Sequence, residues 1–271
     1  MGLYFQEYGK GSKSTIVFLH GGGVSGWMWQ PQIEGLPDFH CLVPDLPEQG
    51  QSVNEQPFTM QGSAEQIAKL IRTRAVNGKA HLVGLSEGAQ VALALLSIDR
   101  DCVDHAFISS ALVRPLPGGS LITPTLTSLS YRWFVKPLKN SEWWIRLNMK
   151  YAVGIPDTYY GPFSQSFKEM TESGFTNIMV ENQRFRLPEG LNRVKAPTLI
   201  VIGRKEYSAM RQSAIDIAAV IPGSQAYQVH HSRKMSLAEE HNWSLTAPEL
   251  FTQTVRAWIT NQPLPAALKA L

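Results

Sequence analysis

The sequence predicts an α/β fold, a mostly parallel, doubly wound sheet interrupted by a helical insertion. Three observations carry this. Short apolar runs of strand length alternate with stretches of helical periodicity along most of the chain. One of the runs leads directly into Gly84-Leu85-Ser86-Glu87-Gly88 and then into a helix-forming segment. Finally, the breaker cluster Arg114-Pro115-Leu116-Pro117-Gly118-Gly119 opens a stretch dense in aromatics, after which core-like strands resume near Pro197.

The elements follow in order. Thr15–Leu19 and His40–Val43 read as buried strands, and Ser63–Arg74 reads as a helix. His81–Leu85 is the strand before the Gly-x-Ser-x-Gly turn, and Glu87–Ile98 is the helix after it. His105–Ser109 closes the first half. The second half has strands at Thr198–Ile202 and Ala226–Val229 and helices at Arg211–Val220 and Glu249–Ile259. In the last helix Phe251, Val255, Trp258 and Ile259 form one apolar face. Alternating elements imply parallel strands covered on both faces. Residues 1–112 and 190–271 are assigned to this core and 113–189 to a cap over the strands' C-terminal ends, where such sheets bind ligands.

Two segments carry chemistry. A serine on a tight strand-to-helix turn presents its hydroxyl in the open, and the helix N-terminus behind it offers N–H groups to an oxyanion. Thr15–Leu19 runs into His20-Gly21-Gly22-Gly23, a loop that can aim backbone N–H groups at a developing negative charge.

Together these motifs resemble the α/β-hydrolase superfamily, which carries a His-Gly oxyanion loop ahead of a Gly-x-Ser-x-Gly elbow. The resemblance extends from about Thr15 to Ile259. Asp45-Leu46-Pro47-Glu48-Gln49-Gly50-Gln51-Ser52 is similar to the family's D-L-P-G-H-G-x-S loop, with Glu48 and Gln49 in place of Gly-His; no catalytic role is assigned to either. Pro197–Gly203 resembles the strand that carries the family's acid, which places Glu206 at the acid position. His241 precedes Pro248 by the spacing of the family's histidine loop.

The resemblance implies a serine hydrolase, an esterase-like enzyme. Ser86 is the expected nucleophile, His241 the general base, and Glu206 the carboxylate that fixes the imidazole tautomer. The backbone N–H groups of Gly22 and Glu87 would form the oxyanion hole, with the Glu87 side chain solvated or at the pocket edge. His20 is expected to brace the oxyanion loop. His230 and His231 remain alternatives for the base, and an exposed-loop role remains open for Glu206. The same set of residues serves C–C hydrolases, lyases, thioesterases and perhydrolases, and a ligand receptor on a hydrolase scaffold is a further alternative. Ser86 at the elbow disfavours the dehalogenases and epoxide hydrolases of this fold, which use Asp there.

The aromatic insertion, with Trp133, Trp143 and Trp144, and Trp27 near the oxyanion loop, are expected to line an apolar substrate pocket. Composition narrows the partners. The net charge of +3 comes without a dense basic run, which argues against nucleic acid, and no apolar run reaches membrane-spanning length. Cys41 and Cys102 read as small buried residues rather than a disulfide or metal pair. The expectation is a cytoplasmic enzyme with a small-molecule substrate, no cofactor, no metal and no membrane partner. A homodimer is left open.

Overall fold

A computed structural model describes residues 2–55 and 57–271. Its first half runs β1 (Phe5–Tyr8), β2 (Thr15–Leu19), α1 (Gln30–Gly35), β3 (His40–Pro44), α2 (Met60–Arg74), β4 (Ala80–Leu85), α3 (Glu87–Ile98) and β5 (Val103–Ser109). Four helices follow before the sheet resumes: α4 (Pro124–Ser130), α5 (Glu142–Leu147), α6 (Tyr160–Glu169) and α7 (Glu172–Arg184). The second half is β6 (Thr198–Gly203), α8 (Ser208–Val220), β7 (Gln225–Val229), α9 (Leu237–His241), α10 (Trp243–Thr246), α11 (Pro248–Ile259) and β8 (Leu268–Ala270).

The strands form one sheet in the order β1-β3-β2-β4-β5-β6-β7-β8. The six inner strands are parallel, and β1 and β8 close the two edges antiparallel. Strand alternation builds two cores. Ile16 and Phe18 point to one face and pack with Ile33, Phe251 and Val255 from α1 and α11. Val17 and Leu19 point to the other and pack with Ile67, Leu93 and Ile217 from α2, α3 and α8. Burial on both faces explains why these strands read as continuous apolar runs.

The sequence leads from β2 to β3 on one side and to β4 on the other, so the order of winding reverses between β2 and β4. Clefts in open α/β sheets lie at such a reversal, beyond the strands' C-terminal ends. The loop after β2 begins at His20, and the turn after β4 holds Ser86.

Local chemistry sets the helix starts. The hydroxyl of Thr59 accepts the Gly62 N–H at 3.0 Å and begins α2 three residues before the expected start at Ser63. Thr171 does the same for α7 with Gly174 N–H. Ser236 and Glu239 form a reciprocal capping box that starts α9. The edge strands were not expected. β1 is half-buried throughout and mixes polar with aromatic residues, and β8 buries only Leu268.

Within the insertion, α4 continues as a π-helical turn over Tyr131–Val135 and α5 as another over Asn148–Val153. The second ends at Gly154, at φ 74°, where a Cβ would lie 2.4 Å from the Ala238 carbonyl carbon. The bare backbone therefore packs directly on α9. Asn242 Nδ2 reinforces the junction by donating to the Val153 carbonyl at 2.5 Å. Cys41 and Cys102 are buried and free, and burial pushes both thiols up to about 12. Among the described residues no helix is long and apolar enough to cross a membrane.

Candidate active site

Ser86 is held at φ 54° and ψ −116°, a strained conformation for a residue with a side chain. Its own N–H donates to the Ser109 carbonyl on β5 at 2.8 Å, which anchors the turn to the sheet. The two glycines of the motif are needed for close approach. A Cβ on Gly84 would sit 2.5 Å from the Gly88 carbonyl oxygen, and one on Gly88 would sit 2.1 Å from that of Leu19. Helix α3 is thus pressed against the ends of β2 and β4, and Ser86 stands at its N-terminus.

His20 braces the adjacent loop. Its Nε2 accepts the Leu46 N–H at 2.9 Å, so the ring proton sits on Nδ1 and is donated to the Gly21 carbonyl at 2.8 Å. Complete burial holds the imidazole below its usual range, against the opposing pull of the Asp45 carboxylate. Its expected bracing role matches these contacts.

The loop after β3 supplies a second brace, through the two residues that depart from the family pattern. The Gly23 N–H donates to Gln49 Oε1 at 2.8 Å, and Gln49 Nε2 donates to Glu87 Oε1 at 2.7 Å. The Glu87 side chain, expected to be solvated or at the pocket edge, is completely buried beside the cleft and not solvated. Its Oε2 has no partner among the described residues and lies 3.0 Å from where a Cβ of Gly22 would be. Burial pushes this carboxyl up to about 8, outweighing the opposing Gln49 hydrogen bond, and nearby Glu181 adds to the rise. Burial thus favours the neutral acid over the carboxylate.

Glu48, at φ 61°, turns its carboxylate to the insertion. It accepts from Phe58 N–H at 2.8 Å, from Ser173 Oγ at 2.5 Å and from Asn177 Nδ2 at 2.7 Å. This fastens α7 to the core beside the cleft.

Across the sheet, Glu206 follows β6 and its side chain is 1% exposed. Its Oε1 accepts from Ser110 Oγ at 2.5 Å and from Gly203 N–H at 3.1 Å. His241, the last residue of α9, places Nδ1 3.7 Å from the same oxygen, with its side chain 25% exposed. That is an ion-pair rather than a hydrogen-bond distance, and such contacts often tighten only when substrate binds. Ser86, Glu206 and His241 all line one cleft of about 500 Å³, with Gly22 and Glu87 on its wall. His230 and His231 are not on it: His230 contacts Gln228, and His231 lies edge-on to Trp243.

The expected tryptophans do not reach the cleft. Trp133 and Trp143 are 69% and 61% exposed and face solvent, and Trp144 packs edge-on against Trp143. Trp27 donates to Ser166 Oγ at 3.0 Å and stacks on Tyr159. Composition showed that the insertion is aromatic but not which way each ring points. The apolar wall is instead Phe163, Phe167, Met170, Phe175, Ile178 and Met179 from α6, α7 and the turn between them. Gln49, Glu48 and Ser110 are site residues that the sequence reading missed. The signal for the first two was the departure from Gly-His itself.

Residues 16–259 match the sequence profile of the alpha/beta hydrolase family. The chain belongs to this family. An α/β-hydrolase superfamily protein of Gibberella zeae is 24% identical over 99% of this chain and 88% of its own length. A shorter match, 41% identical over 79 residues, covers 29% of this chain and 32% of a Haemophilus influenzae protein. That relative is described as a putative 2-succinyl-6-hydroxy-2,4-cyclohexadiene-1-carboxylate synthase. Among solved structures, an esterase from Thermogutta terrifontis superposes with a TM-score of 0.73 at 23% identity, over 96% of this chain and 93% of its own. The protein is an α/β-hydrolase enzyme with the fold of that esterase.

Proposed function

We propose that this α/β-hydrolase cleaves an ester or related acyl bond of a small, largely apolar, uncharged substrate through an acyl-enzyme on Ser86. One observation carries the reading: the strained Ser86 turn, His241 and Glu206 open onto a single cleft whose lining contains no Lys or Arg. In this reading His241 takes the Ser86 proton as the hydroxyl attacks the acyl carbon, then returns it to the leaving alcohol. Glu206, itself held by Ser110 and Gly203, orients the imidazole and stabilises its charged form. The N–H groups of Gly22 and Glu87 receive the oxyanion. Water activated by His241 then releases the acid. The helices between β5 and β6 act as the cap.

Three variants test the roles. Ser86→Ala should lower kcat by several orders of magnitude with an unchanged circular dichroism spectrum. His241→Ala should do the same, and Glu206→Gln should cost on the order of a hundredfold or more. A fluorophosphonate probe should label Ser86 in the wild type. Labelling elsewhere, or full turnover by Ser86→Ala, would sink the reading.

The carboxylate in the name of the Haemophilus influenzae relative's product raises a second reading, carbon–carbon chemistry on an acidic substrate. Among the described residues the cleft lining holds no Lys or Arg to pair with such a substrate, and burying an unpaired carboxylate in an apolar cleft is costly. The ester reading is therefore preferred. Turnover of p-nitrophenyl esters against an acidic cyclohexadiene substrate separates the two.

A further inference from the structure

The apolar surface of the insertion is turned outward to an unusual degree. Among the described residues, eight of the eleven exposed large hydrophobic side chains lie between Leu121 and Tyr151. They fall into stripes at helical spacing. Leu126, Leu129 and Trp133 follow one another along α4 and its π-helical extension, and Trp143, Leu147 and Tyr151 do so along α5 and its extension. Phe134, 65% exposed, adds to the first stripe. The opposite sides of the same helices are buried, through Thr127, Tyr131, Ile145 and Met149. Single exposed apolar residues are ordinary on a soluble surface, but two stripes ending in Trp, Phe and Tyr are not.

The charge on these helices is one-sided. Residues 119–153 carry five cations, Arg132, Lys136, Lys139, Arg146 and Lys150, against one carboxylate, Glu142. Arg132 is paired with Glu172 and Arg146 with Glu142. The three lysines make no ion pair among the described residues: Lys139 reaches the Met170 carbonyl, and Lys150 lies over the Tyr151 ring.

We propose that the exposed aromatic stripes of the insertion dock on the surface of an anionic phospholipid bilayer. Aromatic rings at the level of the headgroups, flanked by lysines that meet anionic lipid, make a surface that lies on a membrane without entering it. The lack of a spanning run, from which the sequence reading expected no membrane partner, excludes insertion but not this mode. Charge also selects against a second copy of the chain, because a symmetric contact through this face would bring the same lysines together. Helix α5 and its extension carry both surfaces, with Trp143, Leu147 and Tyr151 outward and Asn148 and Ala152 on the cleft wall. Docking would therefore set the cleft beside the lipid, whatever reaction it performs.

Co-sedimentation of the full chain with vesicles tests the proposal. Vesicles of phosphatidylcholine containing phosphatidylglycerol should retain the protein on the order of a hundredfold better than phosphatidylcholine alone, at roughly fivefold per lysine. Added salt should weaken the binding. A Trp133→Ser/Trp143→Ser double variant should lose it, and so should Lys136→Glu/Lys150→Glu, which alters exposed positions and leaves the fold undisturbed. Both variants should keep wild-type turnover of a soluble short-chain ester and the wild-type unfolding temperature. Retention that is absent, or equal on both vesicle types, overturns the proposal. So does a concentration-dependent dimer, seen by light scattering, that the tryptophan substitutions dissolve.

Discussion

A carboxyl group directly after Ser86, the proposed nucleophile, opposes any chemistry that builds negative charge beside it. Burial opposes that charge, because it pushes the Glu87 carboxyl up to about 8. If ionised, it would set a negative charge against the proposed oxyanion loop, because its Oε2 lies 3.0 Å from where a Cβ of Gly22 would be. For two like charges about 5 Å apart at an effective dielectric of about 20 the repulsion is roughly 3 kcal/mol, or about a hundredfold in rate. The enzyme should therefore lose kcat as pH rises through about 8, and Glu87→Gln, a neutral isostere, should hold its rate there. The same group makes stability depend on pH. Its folded value lies above the ordinary 4.5, so the folded state binds the extra proton between 4.5 and about 8. The stabilisation is complete below that window and lost as pH rises through it. Thermal unfolding of the wild type should weaken across this range, and that of Glu87→Gln should be flatter. An alkaline rate loss that persists in Glu87→Gln would assign it to another group.

At the scale of elements, Glu48 joins the loop after β3 to α7 by accepting three hydrogen bonds. Two of them come from the insertion, and α7 also supplies Phe175, Ile178 and Met179 to the cleft. Glu48→Ala should remove all three hydrogen bonds and strand the buried Phe58 N–H, at about 1–3 kcal/mol for that group. The expected results are a Tm lower by several degrees and a KM raised more than kcat is lowered, because α7 is loosened while Ser86 is not. An unchanged Tm would mean that water replaces the carboxylate. The elbow and the oxyanion loop were legible in the sequence because each is a compact motif between a strand and its successor. The Gln49–Glu87, Ser110–Glu206 and Glu48–Asn177 contacts were not, because they join residues 38, 96 and 129 positions apart. The Trp133 and Trp143 assignments failed for a related reason. Aromatic content marks an insertion, but the orientation of each ring depends on where the helices pack, and the π-helical turns displace the faces beyond them.

For the whole molecule, β2 and β6 were readable because both their faces are buried, which forces apolar residues at every position from Ile16 to Leu19 and from Leu199 to Ile202. Edge strands are free of that demand, so β1 and β8 left only mixed, partly polar patterns. The cleft forms where the sheet meets the insertion, and its wall of Phe163, Phe167, Met170 and Phe175 suits an aliphatic acyl chain. Each methylene buried there is worth about 0.8 kcal/mol. kcat/KM should rise from acetyl esters towards longer acyl chains until the cleft is full, and should not improve when a carboxylate is added to the substrate. A preference for acetyl esters would show that the chain is not what the wall receives.

The seam at Gly154 sets a limit on how this protein can be engineered. His241 belongs to the short helix on which Gly154 rests, and the residue after it, Asn242, grips the Val153 carbonyl at the end of the insertion. The proposed general base is therefore not a fixture of the sheet alone. A chimera given a foreign insertion to change its substrate range would inherit a new seat for its histidine. Modular exchange would succeed only when residues 237–242 are transplanted along with it, so that the two segments travel as one cassette.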